Sequence, residues 1–190
     1  MKTFELKGSK RESTGKKATK ADRKESLVPC VLYGGDEVVH FTVTKEGIRK
    51  LIYTPEIYIV DLSVAGKGYT AILKDTQFHP VSDALLHADF LQIYEDKPVV
   101  MEIPIVLEGL AQGVKDGGKL SMNMRKLKVK GLYKNFPEKL VINIENLGLG
   151  KTIQVGALNF DDLELMNVKD NVVAAVQLTR AARGVAAAKT

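Results

Sequence analysis

The sequence contains few of the residues from which metal sites and nucleophilic active sites are built. Its 190 residues include one cysteine and three histidines. A lone cysteine excludes an internal disulfide and a zinc site built from cysteines. The histidines, His40, His79 and His87, have no third metal ligand at a usual spacing. A hydrolase that used His79, His87 and Asp89 would lack a nucleophile in a recognisable catalytic loop. We therefore expect no metal, no cofactor, no small-molecule substrate and no enzymatic activity.

Long apolar runs are missing as well. No stretch approaches the roughly 20 apolar residues that a bilayer-spanning helix needs, and the N-terminal residues contain no apolar core of a secretory signal. We expect a cytoplasmic protein with no membrane partner. Cys30 lies in the apolar segment 27–33, a setting that favours a buried structural thiol over a nucleophile.

Positive charge is abundant but unevenly placed. The chain has 28 Lys and Arg against 23 Asp and Glu, a net charge of +5. Residues 1–24 hold nine of these cations and three of the acids, a net of +6, so the rest of the chain carries a net of -1. A concentrated positive segment neutralises phosphates far better than the same charge spread evenly. The pattern indicates a polyanion-binding arm, with a solvated basic tail as the alternative.

Alternating and β-rich apolar segments predict that the first half of the chain is a curled or closed sheet. Short helices are predicted at residues 17–25 and 44–53, the second of which places Ile48, Leu51 and Ile52 on one face. Closure of the sheet would remove its exposed edges. Strand candidates separated by turns lie at residues 3–7, 28–33, 38–43, 57–62, 69–74 and 86–93.

The charged, proline-containing segment 94–98 predicts a linker between two domains. Residues 1–93 form the first expected domain and residues 99–179 form the second. We expect residues 180–190 to be a flexible tail, because they offer too little apolar surface to pack against a domain. Further strand candidates lie at 99–107, 127–133, 140–144, 152–155 and 172–178. The expected fold class is mainly β, with a six-stranded β-barrel-like N-terminal domain, short helices and a second mainly-β domain.

Two segments carry the residue types that contact RNA. Residues 10–23 alternate cations with small and hydroxylated residues, so the backbone can approach phosphates closely. Residues 74–80 and 87–90 supply Gln, His and Asp, which read base edges or 2′-hydroxyls. Ordinary turn chemistry around Pro80, with His87 and Asp89 on the exposed face of a strand, explains the second set equally well.

At these residues the sequence resembles the bacterial general-stress CTC family, the long form of large-subunit ribosomal protein twenty-five. The resemblance spans nearly the whole chain, and the order and spacing of its motifs are more specific than any one of them. The motifs are Arg11, Gly15-Lys16, Lys20 and Arg23, VPCVLYGG at 28–35, DTQFHP at 75–80, HADF at 87–90 and EGLAQGVKDGGKL at 108–120.

The resemblance implies a β-barrel that binds 5S ribosomal RNA at an irregular internal loop and the adjoining helix. Its partners would be this RNA and other large-subunit proteins on the cytoplasmic ribosome. Carried over by position, the phosphate contacts would be Arg11, Lys16, Lys20 and Arg23. The residues lining the RNA-facing sheet would be Tyr33, Lys74, Asp75, Gln77, His79, His87 and Asp89.

The sequence departs from the family pattern at four positions. Ala21-Asp22 replaces a basic residue and a leucine, Lys20 stands where arginine is usual, and Phe78 stands where arginine can occur. An acidic Asp22 beside phosphates is unfavourable. The alternative function is a non-ribosomal, stress-associated RNA-binding protein or RNA chaperone, whose binding would be nearly independent of RNA sequence and strongly salt-dependent.

Overall fold

The computed structural model describes residues 1–160 and 162–179 of the chain. These residues form two compact units. The first comprises Met1–Val99 with Leu132–Lys134, and the second comprises Val100–Gly131 with the described residues from Asn135 onwards. The expected linker, residues 94–98, falls at the end of the first unit, and the expected tail, residues 180–190, lies outside the described residues.

The first unit is a closed six-stranded barrel, as the sequence predicts. The order of hydrogen-bonded strands around it is β1-β3-β2-β6-β5-β4, and a parallel pairing of β1 with β4 closes the ring. A second parallel pair joins β2 to β6, and the other neighbours are antiparallel. The strands are β1 Lys2–Lys10, β2 Leu27–Tyr33, β3 Val39–Thr44, β4 Tyr58–Val64, β5 Lys67–Phe78 and β6 Leu85–Gln92.

The interior of the barrel is filled by alternate side chains of every strand. Phe41 and Phe90 are both fully buried, and their ring centroids lie 5.6 Å apart. Cys30 is buried among them, as its apolar neighbours predict. Because successive residues of a strand point to opposite faces, each inward apolar residue leaves its neighbours on the outer surface of the barrel.

Two helices border the barrel. Helix α1, Lys16–Lys24, packs beside β2 and has no fully buried residue. Helix α2, Lys45–Tyr53, buries Ile48 and Leu51 in the barrel core, and the Thr44 side chain accepts a hydrogen bond from the backbone N–H of Gly47 at its start. Both helices match the sequence prediction to within one residue at each end.

Strand β5 differs from its predicted limits in a way that matters for function. The sequence pattern ends near Lys74, but the strand continues through Phe78 and pairs with β6 throughout. A register shift between Leu73 and Asp75 makes Lys74 an extra, bulged residue, which interrupts the alternation that the prediction depends on. Residues 74–78 are therefore strand rather than turn. The turn around Pro80 begins only at His79, whose N–H donates to the Ala84 carbonyl.

The second unit is also mainly β. Its four-stranded sheet has the order β10-β7-β9-β12, and a three-stranded sheet has the order β11-β13-β8. The short strands β8 and β12 and the one-turn helix α3 are absent from the sequence prediction. The elements that follow the barrel strands are β7 Val99–Glu108, α3 Gln112–Lys115, β8 Lys119–Met122, β9 Lys126–Gly131, β10 Leu140–Asn143, β11 Thr152–Gln154, β12 Glu164–Leu165 and β13 Val172–Gln177, with a 3-10 turn at Val155–Ala157. Another 3-10 turn, Tyr133–Asn135, overlaps the segment Leu132–Lys134 of the first unit.

Within the described ranges, 1–160 and 162–179, no helix is both long enough and apolar enough to span a membrane.

Cys30 provides a test of the barrel core. Burial raises the pKa of its thiol to about 12, so the reactive thiolate is scarce in the folded protein at pH 8. We expect no reaction with a thiol reagent such as DTNB under native conditions and one equivalent of reaction in denaturant. Rapid native labelling at a rate independent of denaturant would contradict the packing around Cys30.

The proposed domain division can be tested by truncation. A fragment of residues 1–98 contains all six barrel strands, so we expect it to unfold cooperatively in urea with near-UV circular dichroism typical of packed aromatics. A matched fragment ending at residue 84 lacks β6 and should not fold. If the longer fragment is also unfolded, residues 132–134 or the second unit are needed for stability.

Candidate nucleic-acid interface

Two arginines fix helix α1 to the barrel, and the first of them is Arg11. Its guanidinium Nη2 lies 2.9 Å from Asp22 Oδ2 and donates to Thr19 Oγ1 at 3.3 Å. The Arg11 side chain is only 10% exposed. Among the described residues the buried Asp22 oxygen has no hydrogen-bond partner, so the charge of Arg11 is what compensates it. Asp22, unfavourable beside a phosphate, here serves as the anchor of α1.

Arg23 holds the other end of the helix. Its Nε and Nη2 both donate to the backbone carbonyl of Leu86, at 3.1 and 2.9 Å. Leu86 belongs to β6, so these two hydrogen bonds join the last turn of α1 to the strand that also carries His87 and Asp89. Hydrogen bonds from a charged donor are stronger than neutral ones, and a half-buried pair of them fixes the orientation of α1.

This anchoring decides which cations face the solvent. Ala18, Thr19, Asp22 and Arg23 are half-buried and form the inner side of α1. The helical repeat of 3.6 residues therefore places the remaining cations on the opposite side. The exposed cations on that side are Lys16, Lys17, Lys20 and Lys24, with Ala21 among them, and we call the four lysines the lysine face.

A polar surface covers the outside of β2, β6 and β5. The register pairs Gln77 with His87 and Asp75 with Asp89, so these four side chains form two adjacent rows on β5 and β6. Because like charges directly opposite one another are destabilising, the Asp75–Asp89 pair is unfavourable for folding in isolation. Hydrogen bonds donated to both carboxylates by a ligand would offset this repulsion. We call these four residues with Tyr33 the acceptor face.

His87 and Asp89 are directly connected on this face. His87 Nδ1 lies 2.6 Å from Asp89 Oδ1, and both side chains are partly exposed. The Nδ1–H group donates to the carboxylate, which orients the imidazole and leaves Nε2 for an outside partner. The expectation that the two residues project from one face is confirmed by this contact.

Tyr33 completes the acceptor face at the end of β2. Burial raises the pKa of its phenol, and the carboxylates of Asp89 and Asp75 raise it further, so the hydroxyl stays protonated and able to donate. The strand ends here because Gly34 has a φ of 92°, and a Cβ at that position would lie 2.6 Å from the Leu91 side chain.

His79 and Lys74 lie at the margins of the acceptor face. His79 Nδ1 accepts hydrogen bonds from the backbone N–H groups of Val81 and Ser82, so this ring organises the turn after β5. Its Nε2 is the atom that remains for a ligand. Lys74 is the exposed bulge residue beside Asp75.

The structure thus divides the sequence-predicted residues into three groups. Tyr33, Asp75, Gln77, His87 and Asp89 share one surface, with Lys74 and His79 at its edge. Lys16 and Lys20 are exposed on the bordering helix, whereas the guanidinium groups of Arg11 and Arg23 are engaged within the protein. In the described ranges no group of three or more His, Cys, Asp and Glu side chains is arranged to hold a metal ion.

The predicted list of contact residues omits four groups that belong to this surface or position it. Lys17 and Lys24 extend the lysine face. Their spacing of three and four residues from Lys20 is the sequence signal that places them on the same side of the helix. Thr19 and the Leu86 carbonyl position the arginines. Nothing in the local sequence indicates these two contacts, because each depends on how the helix meets the barrel.

Comparisons with known proteins cover both halves of the chain. Residues 6–90 match the model of the Ribosomal L25p family, and residues 98–180 match that of the ribosomal protein TL5, C-terminal domain. The large ribosomal subunit protein bL25 of Azobacteroides pseudotrichonymphae is 67% identical over 184 residues, which cover 96% of this chain and 97% of that protein. The protein of the same name from Parabacteroides distasonis is 63% identical and covers 97% of each chain. That of Porphyromonas gingivalis is 61% identical over the full length of both.

Two substitutions on α1 distinguish a residue that contacts the ligand from one that positions the helix. Lys20→Ala removes an exposed cation, so we expect unchanged thermal stability and a decrease of about one in the slope of log K against log salt for a bound polyanion. Arg23→Ala removes the two hydrogen bonds to the Leu86 carbonyl, and we expect the free energy of unfolding to fall by roughly 1–3 kcal/mol. Urea unfolding and salt-dependent titrations of both variants measure this. An Arg23→Ala variant with native stability and a reduced slope would instead place its guanidinium on the ligand.

Proposed function

Because the chain belongs to the Ribosomal L25p family, we propose that it is a structural component of the large ribosomal subunit and binds 5S ribosomal RNA through its N-terminal barrel. This family consists of structural ribosomal proteins and is not an enzyme class. The partners in this proposal are 5S ribosomal RNA and neighbouring large-subunit proteins, and the location is the cytoplasmic ribosome.

The proposal rests on one observation: a face rich in hydrogen-bond acceptors lies beside a helix whose exposed charged side chains are all lysines. Arg23 bridges the two by joining α1 to β6. A phosphate backbone satisfies the lysine face, whereas the carboxylates of Asp75 and Asp89 repel phosphates. Only a ligand with both phosphates and hydrogen-bond donors a short distance away satisfies both surfaces, and RNA is such a ligand.

The two surfaces have different roles in this proposal. Lysines contact phosphates that every RNA displays, so the lysine face supplies affinity without selectivity. The acceptor face selects the site because carboxylates accept from base amino and imino groups or from 2′-hydroxyls. A regular RNA helix hides its base edges in a deep major groove, so the ligand of a rigid sheet is a minor groove or a distorted internal loop.

The rigidity of the acceptor face supports this role. His87 is oriented by Asp89, and both are borne on a strand paired on each side, with β2 and β5. Short side chains fixed in this way lose little conformational entropy on binding. A loose basic arm, as in the alternative of a non-ribosomal RNA chaperone, would need no such surface.

The proposal is tested by replacing one acceptor. We expect Asp89→Ala to weaken binding to a fragment of 5S ribosomal RNA containing the internal loop by roughly 1–3 kcal/mol, and binding to a plain duplex of equal length much less. Titrations of both RNAs at one salt concentration make the measurement. Asp61→Ala is the matched control, because Asp61 is an exposed carboxylate on β4, which does not adjoin β6.

Equal effects on both RNAs would show that Asp89 acts through general electrostatics and not through selection. No effect on either would remove the acceptor face from the interface. Binding of the unmodified protein that is equally tight for both RNAs would favour the RNA-chaperone alternative.

A further inference from the structure

A groove outside the acceptor face lies between α2 and the end of the turn that follows β5. Its floor is apolar, and two cations stand among its lining residues. The residues that line it are Lys45, Ile48, Arg49, Ile52, Tyr53, Ala84 and Leu85. Ile48 and Leu85 are buried and form part of the barrel core, so the floor is fixed by the packing of the whole barrel.

Tyr53, one of the lining residues, forms an exposed aromatic pair with Phe78. Tyr53 is 63% exposed and Phe78 is 39% exposed, and their ring centroids lie 6.4 Å apart with a tilt of 59°. Burial of these accessible rings against the apolar group of a partner would be favourable.

The cations of the groove have a regular arrangement. Lys45 and Arg49 are both exposed and lie four residues apart on α2, which places them on one side of the helix about one turn from each other. A single anionic group can therefore contact both. Arg49 is also four residues from Tyr53, so positive charge and aromatic surface follow each other along the same side of α2.

The groove is continuous with the proposed RNA interface. Phe78 follows Gln77 of the acceptor face and pairs with Leu85 across the β5–β6 ladder. Leu85 precedes Leu86, whose carbonyl receives Arg23. At the other side, the backbone N–H of Lys45 donates to the carbonyl of Ser26, two residues beyond α1. The groove therefore adjoins the surface that an RNA covering α1 and β6 would occupy.

We propose that the groove binds one unpaired nucleotide of the RNA held by the acceptor face, an inference that rests on the function proposed above. The base packs on the ring of Tyr53 and the apolar floor, with Phe78 supporting the ring. Lys45 and Arg49 contact the adjoining phosphate. Unpaired bases are the parts of an RNA that stack on aromatic side chains, and an aromatic surface next to two cations matches the base and phosphate of a single nucleotide.

The first experiment compares two substitutions of Tyr53 in the full-length protein. Binding of a 5S ribosomal RNA transcript to Tyr53→Ala should be roughly tenfold weaker, whereas Tyr53→Phe, which keeps the ring, should bind like the unmodified protein. Val38→Ala is a matched control at another exposed apolar residue of the barrel unit. Arg49→Ala should weaken binding, and Lys67→Ala, an exposed cation in the β4–β5 hairpin, should weaken it less.

The second experiment locates the occupant. A photoreactive phenylalanine analogue, p-benzoylphenylalanine, in place of Tyr53 should cross-link to one unpaired nucleotide of the transcript, mapped by primer extension. If the unmodified protein does not bind the transcript, the proposed function and this inference both fail. If it binds but Tyr53→Ala binds equally well, the inference alone fails. Cross-links to a ribosomal protein instead of RNA in assembled subunits would also overturn it.

Discussion

The docking of helix α1 on the barrel is the constraint on which the candidate interface depends. Arg11 with Asp22 at one side, and Arg23 with the Leu86 carbonyl at the other, turn a basic segment into a helix with an inner and an outer side. Half-buried ionic contacts contribute modestly to stability but restrict geometry strongly, because a misplaced charge would remain uncompensated. The lysine face follows from this geometry, because one side of α1 is docked on the barrel and its lysines lie on the opposite side.

Barrel closure fixes the second surface. The parallel β2–β6 pair places Val31 beside Asp89, and the antiparallel β5–β6 pair places Asp75 on its other side. A shift by one residue in either register would turn the carboxylates into the apolar core, so the packing of Cys30, Ala88 and Phe90 inside the barrel also sets the acceptor face outside it. The core and the acceptor face are the two sides of the same three strands.

The sequence predicts the fold class well because alternation and turn residues are local signals, and the barrel strands and both of its helices follow them. It also identifies the shared face of His87 and Asp89, because side chains two residues apart on a strand lie on the same face. It fails where distant contacts decide: the bulge at Lys74 extends β5 beyond its apolar pattern, and Asp22, an apparent defect in a basic segment, is the partner of Arg11. The short strands β8 and β12 have too few residues to show a pattern of their own.

Directed hydroxyl-radical probing tests most directly the claim that the lysine and acceptor faces contact one RNA. Because Cys30 is buried and the chain has no other cysteine, Lys20→Cys, Gln77→Cys and Lys67→Cys each offer one reactive site for a tethered iron chelate. We predict that chelates at positions 20 and 77 cleave neighbouring nucleotides of one 5S ribosomal RNA segment and that a chelate at position 67 leaves this segment intact. Cleavage of unrelated segments from positions 20 and 77, or equal cleavage from all three, would contradict the account.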